Sequence, residues 1–450
     1  MNMKKYLLLI AMLLTSASAM MAQDVIDFDD EDDEDEEEEV EMTDDELMVT
    51  DLDGNEEIID FPEAMTYDLD SLMNLFMPKT YLTPDADCRT TDENPTFDRD
   101  VYIERLSRMP TIMEMPYNEV VQKFLDRYSG RLRHSVSYML GACNFYMPIF
   151  EEALDAYGLP LELKYLPVIE SALNPKAVSR VGATGLWQFM LATGKQYGLE
   201  VNSLVDERRD PLKASYAAAH YLADLYKVFG DWSLVIASYN CGPANINKAI
   251  ARAGGVKDYW KIYPYLPRET RGYVPAFIAA NYIMTYYSAH NICPMRTKLP
   301  EKTDTVVVNR NVHLQQVAAV LDLDIDMLRT LNPEYRRDIV PGLTKPSAIK
   351  LALNDVTRFI DNQDSIYNYN ASDLLAKRAE VEISDDQPTF NTHKKTRKVR
   401  KTTVRKGRNA KGRAAKATKS KSRKKTSKAS ARKAKATKAK AKTKSKRRRR

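Results

Sequence analysis

The sequence predicts a mainly α-helical protein, followed by a small α/β module and flanked by unstructured charged segments. Three observations carry that expectation. From Tyr117 to His290 apolar residues recur at helical spacing, and almost nothing alternates with period two. After Pro300, β-branched runs intermix with short helical ones. The ends carry charge of one sign each: Asp24 to Glu46 is almost continuously acidic, while Thr392 to Arg450 is Lys and Arg among Ala, Thr and Ser. A formal net charge of +4 over 450 residues hides this split. Like charges in a block repel one another and leave no apolar surface to bury. Residues 23–100 and 387–450 are therefore expected to be largely disordered.

Residues 1–22 read as a signal peptide. Lys4 and Lys5 form the basic end, Tyr6 to Leu14 the apolar stretch, and Ala17-Ser18-Ala19 or Met20-Met21-Ala22 the cleavage region. The apolar run is roughly half of the ~20 residues a membrane-spanning helix needs, which favours export over an anchor. No later stretch is long and apolar enough to span a bilayer, so the mature chain is expected to have no transmembrane span. Export permits disulfides among Cys88, Cys143, Cys241 and Cys293, and the sequence does not choose the pairing. No CxxC or His–Cys spacing points to a metal.

The helical elements follow in order. Val120, Val121, Phe124, Leu125 and Tyr128 mark the first, and Leu132 to Tyr157 the second. Gly158-Leu159-Pro160 breaks the chain before a helix over Leu161 to Ser171. Pro211 opens another, closed by Gly230. Trp232 to Tyr239 and Ala244 to Ala253 are separated by Gly242-Pro243, and Glu269 to Ser288 forms a last amphipathic helix. Together they make one helical domain over residues 115–292, a size usual for a single domain. The module over 303–355 would hold strands at Thr305–Val308 and Ile349–Leu353, with helices at Leu314–Leu321 and Met327–Asn332 between them.

Glu170 is the first candidate for chemistry. On a helix, the residues three, four and seven positions earlier share its face, and these are Pro167, Leu166 and Leu163. A carboxylate against apolar surface has its charged form disfavoured, and a raised pKa suits a general acid near neutral pH. Ser179 and the run from Gly182 to Met190 follow. Gly182 and Gly185 permit a tight turn, while Gln188 and Trp187 offer an amide and an aromatic plate for a sugar. Two further groups are Ser238-Tyr239-Asn240-Cys241-Gly242-Pro243 and Glu269-Thr270-Arg271-Gly272-Tyr273-Val274.

In this order and spacing the three groups resemble the soluble-lytic-transglycosylase domain, of goose-lysozyme-like fold. Leu159 to Leu163, Leu166 to Ser171 and Asn174 to Ser179 resemble in particular the membrane-bound lytic murein transglycosylase D type. The resemblance implies an enzyme of the periplasm or cell envelope that cuts peptidoglycan glycan strands without a cofactor, with Glu170 as its only acid/base. It implies that Ser179 helps to hold the bound muramyl sugar and its N-acetyl group, that Gln188 and Met190 line the glycan cleft, that Tyr239 points toward Glu170, that Asn240 supports its turn and that Tyr273 closes the cleft. Most glycosidases use two carboxylates. Here the substrate would supply its own nucleophile and form 1,6-anhydro ends. A hydrolase on the same fold and a non-catalytic wall-binding protein are the alternatives. Residues 305–354 resemble a LysM carbohydrate-binding repeat, although Arg310-Asn311-Val312-His313 replaces its usual opening. Export argues against nucleic acid as the tail's target. The same charges would attract anionic envelope polymers.

Overall fold

The computed structural model describes residues 41–51, 53–67, 82–376 and 397–398. The expected signal peptide and nearly all of the basic tail lie outside the described residues.

The helical domain forms where expected, and its helix ends follow local chemistry. Helix α1 spans Arg99–Ser107. Helix α2 (Glu119–Ser129) starts at Asn118, whose side chain accepts the Val121 amide, and α3 runs over Arg133–Ala156. A 3₁₀ turn at Leu161–Tyr165 leads into α4 (Leu166–Ser171), and α5 follows at Leu191–Gln196. Helix α6 (Pro211–Phe229) is capped by Asp210, which accepts from the Leu212 and Lys213 amides, and ends at left-handed Gly230. Then come α7 (Trp232–Cys241), α8 (Pro243–Arg252), α9 (Tyr259–Ile262) and α10 (Arg268–Tyr286). The periodicity of α10 suggested an amphipathic helix. Instead, every residue from Gly272 to Met284 is buried, as expected of a helix through the middle of a domain.

Much of the segment expected to be disordered is folded onto the helical domain. Strand β1 (Glu46–Thr50) pairs antiparallel with β2 (Glu56–Asp60) around a tight loop in which the Asp51 carboxylate accepts the Asp53 and Asn55 amides. Val49, Ile59, Phe61 and Met65 enter the main core, and Phe61 meets Phe124 of α2 edge-on at 5.3 Å between ring centres. Four such apolar side chains outweigh the local acidity, each contributing about 1.5–3 kcal/mol on burial. A disulfide joins Cys88 to Cys293, and Cys143 and Cys241 are free.

The module's two strand pairs are β3 (Thr303–Val308) with β6 (Ser347–Ala352), and β4 (Asn311–His313) with β5 (Ile339–Pro341). Helices α11 (Leu314–Leu321) and α12 (Ile325–Leu331) pack against them. The core extends past the expected end at residue 355, because Phe359 of α13 (Leu353–Asp361) and Ile366 of α14 (Gln363–Asn368) are fully buried in it. The module is joined to the loop before α6. The Asp206 amide donates to the Glu334 carbonyl at 2.9 Å and the Arg336 amide to the Leu204 carbonyl at 2.8 Å, beside a small apolar cluster of Leu204, Val205 and Ile339.

Candidate active site

Glu170 sits one residue before the end of α4. Around it, Leu163 and Leu166 are fully buried and Ile169 nearly so, while the carboxyl itself looks into a cleft of about 490 Å³. Desolvation pushes its pKa up to about 8. The Tyr273 hydroxyl, which donates a short hydrogen bond to Oε1, opposes that rise, and the field of Glu269 and Glu63 adds to it. Tyr273, expected to close the cleft, lines it, and its hydroxyl binds the candidate acid directly.

The glycine turn forms one wall. Val178, Thr184 and Phe189 make isolated β-bridges that fold residues 178–189 back on themselves. The Ser179 hydroxyl accepts the Ala183 amide at 3.0 Å. Gly185 has φ +89°, and a Cβ there would lie 1.8 Å from the Arg208 carbonyl oxygen, so only glycine fits. Gln188, in a left-handed conformation, donates its side-chain amide to the Gly185 carbonyl at 2.7 Å. Met190 is 46% exposed on the cleft rim. Ser171 donates to the Leu186 carbonyl at 2.9 Å and ties the end of α4 to this turn.

Trp187 corrects a reading of the sequence. It is not a plate for a sugar: it is fully buried, stands edge-on to Phe150 and donates its indole N–H to Ser215. The left-handed residue after it reverses the chain, which sends the indole inward and leaves Gln188 on the cleft side. Arg208, which motif reading missed, is the brace of this wall. Its buried guanidinium is held by both oxygens of Asp206 at 2.9 Å and donates to the carbonyls of Gly182 and Phe189.

The floor is completed by Tyr239 and Asn240 from the end of α7. The Tyr239 hydroxyl donates to the Trp187 carbonyl at 2.7 Å, so it braces the turn while lining the cleft beside Glu170. Burial and the charge of Glu170 keep its own pKa well above normal. Asn240 accepts from the Thr270 hydroxyl at 2.8 Å and donates toward Glu269 at 3.5 Å. Burial raises the pKa of Glu269, with the field of Asp60 and Glu63 adding to it.

The opposite wall is the hairpin. Thr43, Asp45, Glu46 and the run Asp60 to Glu63 line the same cleft as Glu170. Arg268 of α10 pairs with Glu46 at 3.1 Å and Asp60 at 3.5 Å, and Arg271 pairs closely with Glu57. Gly272 allows the approach, since a Cβ there would stand 2.5 Å from the Asp60 carbonyl oxygen. The sequence did carry a signal for this wall: Asp53-Gly54 between two short apolar-rich runs is a hairpin mark. Among the described residues, no group of three or more His, Cys, Asp or Glu side chains is arranged to hold a metal, and no helix is long and apolar enough to cross a membrane.

Residues 147–262 match the family model described as Transglycosylase SLT domain. Residues 302–368 match the one described as Lytic transglycosylase MltD, LysM-like domain. The chain is 30% identical over 224 residues to membrane-bound lytic murein transglycosylase D of Escherichia coli strain K12, an alignment covering 49% of each protein. The chain thus spans about half the length of that relative. It is 32% identical over 124 residues to the soluble lytic murein transglycosylase of the same strain, covering 26% of this chain and 19% of that one. Among solved structures, the 70 kDa soluble lytic transglycosylase of Escherichia coli is similar at 28% identity and a TM-score of 0.29, over 32% of this chain and 25% of that one. The resemblance to lytic transglycosylases and to their LysM-like module, read from the motifs, is borne out.

Proposed function

We propose that this chain, with its transglycosylase SLT domain and LysM-like domain, is an exported lytic transglycosylase of peptidoglycan and that Glu170 is its acid and then its base. The observation that carries this reading is a carboxyl at the floor of a cleft, with its pKa pushed up to about 8 by burial and with Tyr273 bound to it. At neutral pH such a group still holds its proton. It would donate that proton to the bridging oxygen of a MurNAc–GlcNAc bond. Positive charge then develops at C1 of the muramyl sugar, where the sugar's own N-acetyl group can stabilise it. The Glu170 carboxylate next takes the proton of the C6 hydroxyl, and that oxygen closes on C1 to leave a 1,6-anhydro end. Both partners of the second step lie on one sugar, so it has the advantage of an intramolecular reaction.

The surrounding residues take defined parts in this reading. The Ser179 hydroxyl already accepts a backbone amide, so its own proton is available to the bound muramyl sugar. Gln188 uses its amide N–H on its own turn, which leaves its carbonyl oxygen for the glycan. Met190 offers apolar contact at the rim. Tyr239 and Asn240 hold the turn in place, and Tyr273 holds the carboxyl. The LysM-like module would bind glycan, and the basic tail, outside the described residues, would keep the enzyme near anionic envelope polymers.

The test is mass spectrometry of purified glycan strands after incubation. Wild type should release anhydro-muramyl ends, and Glu170→Gln should release them about 10²–10⁴-fold more slowly. Reducing ends instead would favour hydrolysis. Glu269 and Glu63 line the same cleft and could steer a water in that case.

A further inference from the structure

Charge in the cleft is lopsided. Asp45, Glu46, Asp60, Glu63, Glu170 and Glu269 line it, and among the described residues lining it Arg180 is the sole cation. Arg180 follows Ser179 directly and stands at the lip of the turn wall. Glu46 and Asp60 are paired with Arg268, which is not among the cleft-lining residues. Asp45, by contrast, is paired across the cleft: Arg180 Nη2 lies 3.5 Å from its Oδ2. The side chains of this pair are 67% and 30% exposed, so it is a solvated contact that exchanges partners readily.

A peptidoglycan strand brings a carboxylate of its own to this cleft. In a stripped strand it is the free lactyl arm of the muramyl sugar. In a peptide-bearing strand that arm is amidated, and the carboxylates belong to the stem peptide. The acidic lining repels such a group everywhere except beside Arg180. We propose that Arg180 is the residue that takes the substrate's carboxylate, and that Asp45 of the hairpin wall holds its place in the free protein. This rests on peptidoglycan being the substrate. It adds a specificity-determining residue to the site and a role for the hairpin. When substrate enters, the carboxylate displaces Asp45 and the tie between the two walls is released.

The experiment uses the full chain carrying Glu170→Gln, so that turnover during a titration is slow. Three ligands of matched length are titrated by calorimetry: peptide-bearing strands, strands stripped by an amidase, and chitooligosaccharides, which have no carboxylate. Adding Arg180→Gln should weaken binding of a carboxylate-bearing strand about tenfold and leave chitooligosaccharide binding unchanged. Adding Asp45→Asn should strengthen binding of the same strand, because Arg180 is then unoccupied. A loss confined to stripped strands assigns the lactyl carboxylate, and a loss confined to peptide-bearing strands assigns the stem peptide. Melting temperatures equal to that of the Glu170→Gln parent separate lost binding from lost fold. Equal weakening on all three ligands, or weakening by both substitutions, overturns the assignment. The two readings fail separately. Unchanged isotherms alongside anhydro ends from wild type strike only the role of Arg180, whereas absent anhydro ends strike the reaction.

Discussion

The two walls of the cleft are held by different physics. The turn wall is fixed by backbone bonds and by a guanidinium removed from water: Arg208 grips Asp206 with two bonds and two turn carbonyls with the rest. The hairpin wall hangs on a few apolar anchors and on ion pairs from Arg268 and Arg271 that are partly open to solvent. Salt screens exposed pairs and hardly touches buried ones. The wall next to the candidate acid in sequence is therefore the rigid one. The wall more than a hundred residues upstream is the one that can yield.

Gly185 puts the rigidity of the turn wall to its severest test. Gly185→Ala forces a side chain onto the Arg208 carbonyl in a left-handed conformation. It should cost about 3 kcal/mol or more and abolish release of anhydro ends, as thermal melts and product analysis would show. If Gly185→Ala melts like wild type, the turn wall is not rigid.

Gly272→Ala is the matching substitution on the hairpin side. Its Cβ would meet the Asp60 carbonyl oxygen at 2.5 Å and Phe124 at 3.1 Å. Because the hairpin can move away, the expected cost is smaller, about 1–2 kcal/mol. Hydrogen exchange should speed up in β1 and β2 and stay unchanged over residues 178–189. Equal loosening of both regions would show that the walls act as one unit.

A third change acts on the floor between the walls. Glu170 must be protonated for the first step, so the rate should fall as pH rises through about 8. Tyr273 donates to the carboxyl and favours its charged form. Tyr273→Phe removes that donor, so the alkaline limb of the pH–rate profile should move to higher pH. A limb that stays in place would mean that Tyr273 does not tune this acid.

Salt should act most weakly. Raising ionic strength from about 0.1 M to about 1 M shortens the screening length from roughly 10 Å to roughly 3 Å. Exchange protection should drop slightly in the hairpin and not in the turn. Loss of protection in the turn would count against the Arg208–Asp206 brace.

Glu170 could be read from the chain because its apolar neighbours, Leu163, Leu166 and Pro167, lie within two helical turns of it. Gly185 could be read as a turn glycine for the same local reason. Trp187 could not be placed. Whether an indole beside a glycine turn faces sugar or core depends on one left-handed residue, Gln188, and on a buried partner, Ser215. The hairpin was missed although its Asp53-Gly54 turn was visible, because the acidic run before it dominates the local composition. Arg208 and Arg180 carried no mark at all, since a lone arginine acquires meaning only from what it faces.

The helical class, the α/β module, the candidate acid and the order of the three motifs are legible along the chain alone. Each of these follows from spacing along the chain, and spacing on a helix sets which side chains share a face. Which wall stands opposite the glycine turn, where Trp187 points and what sets the charge of the cleft emerge only on folding. Those depend on segments far apart in the chain, brought together by burial of Ile59 and Phe61 against α2 and α10 and by a charge balance that exists only once the walls meet.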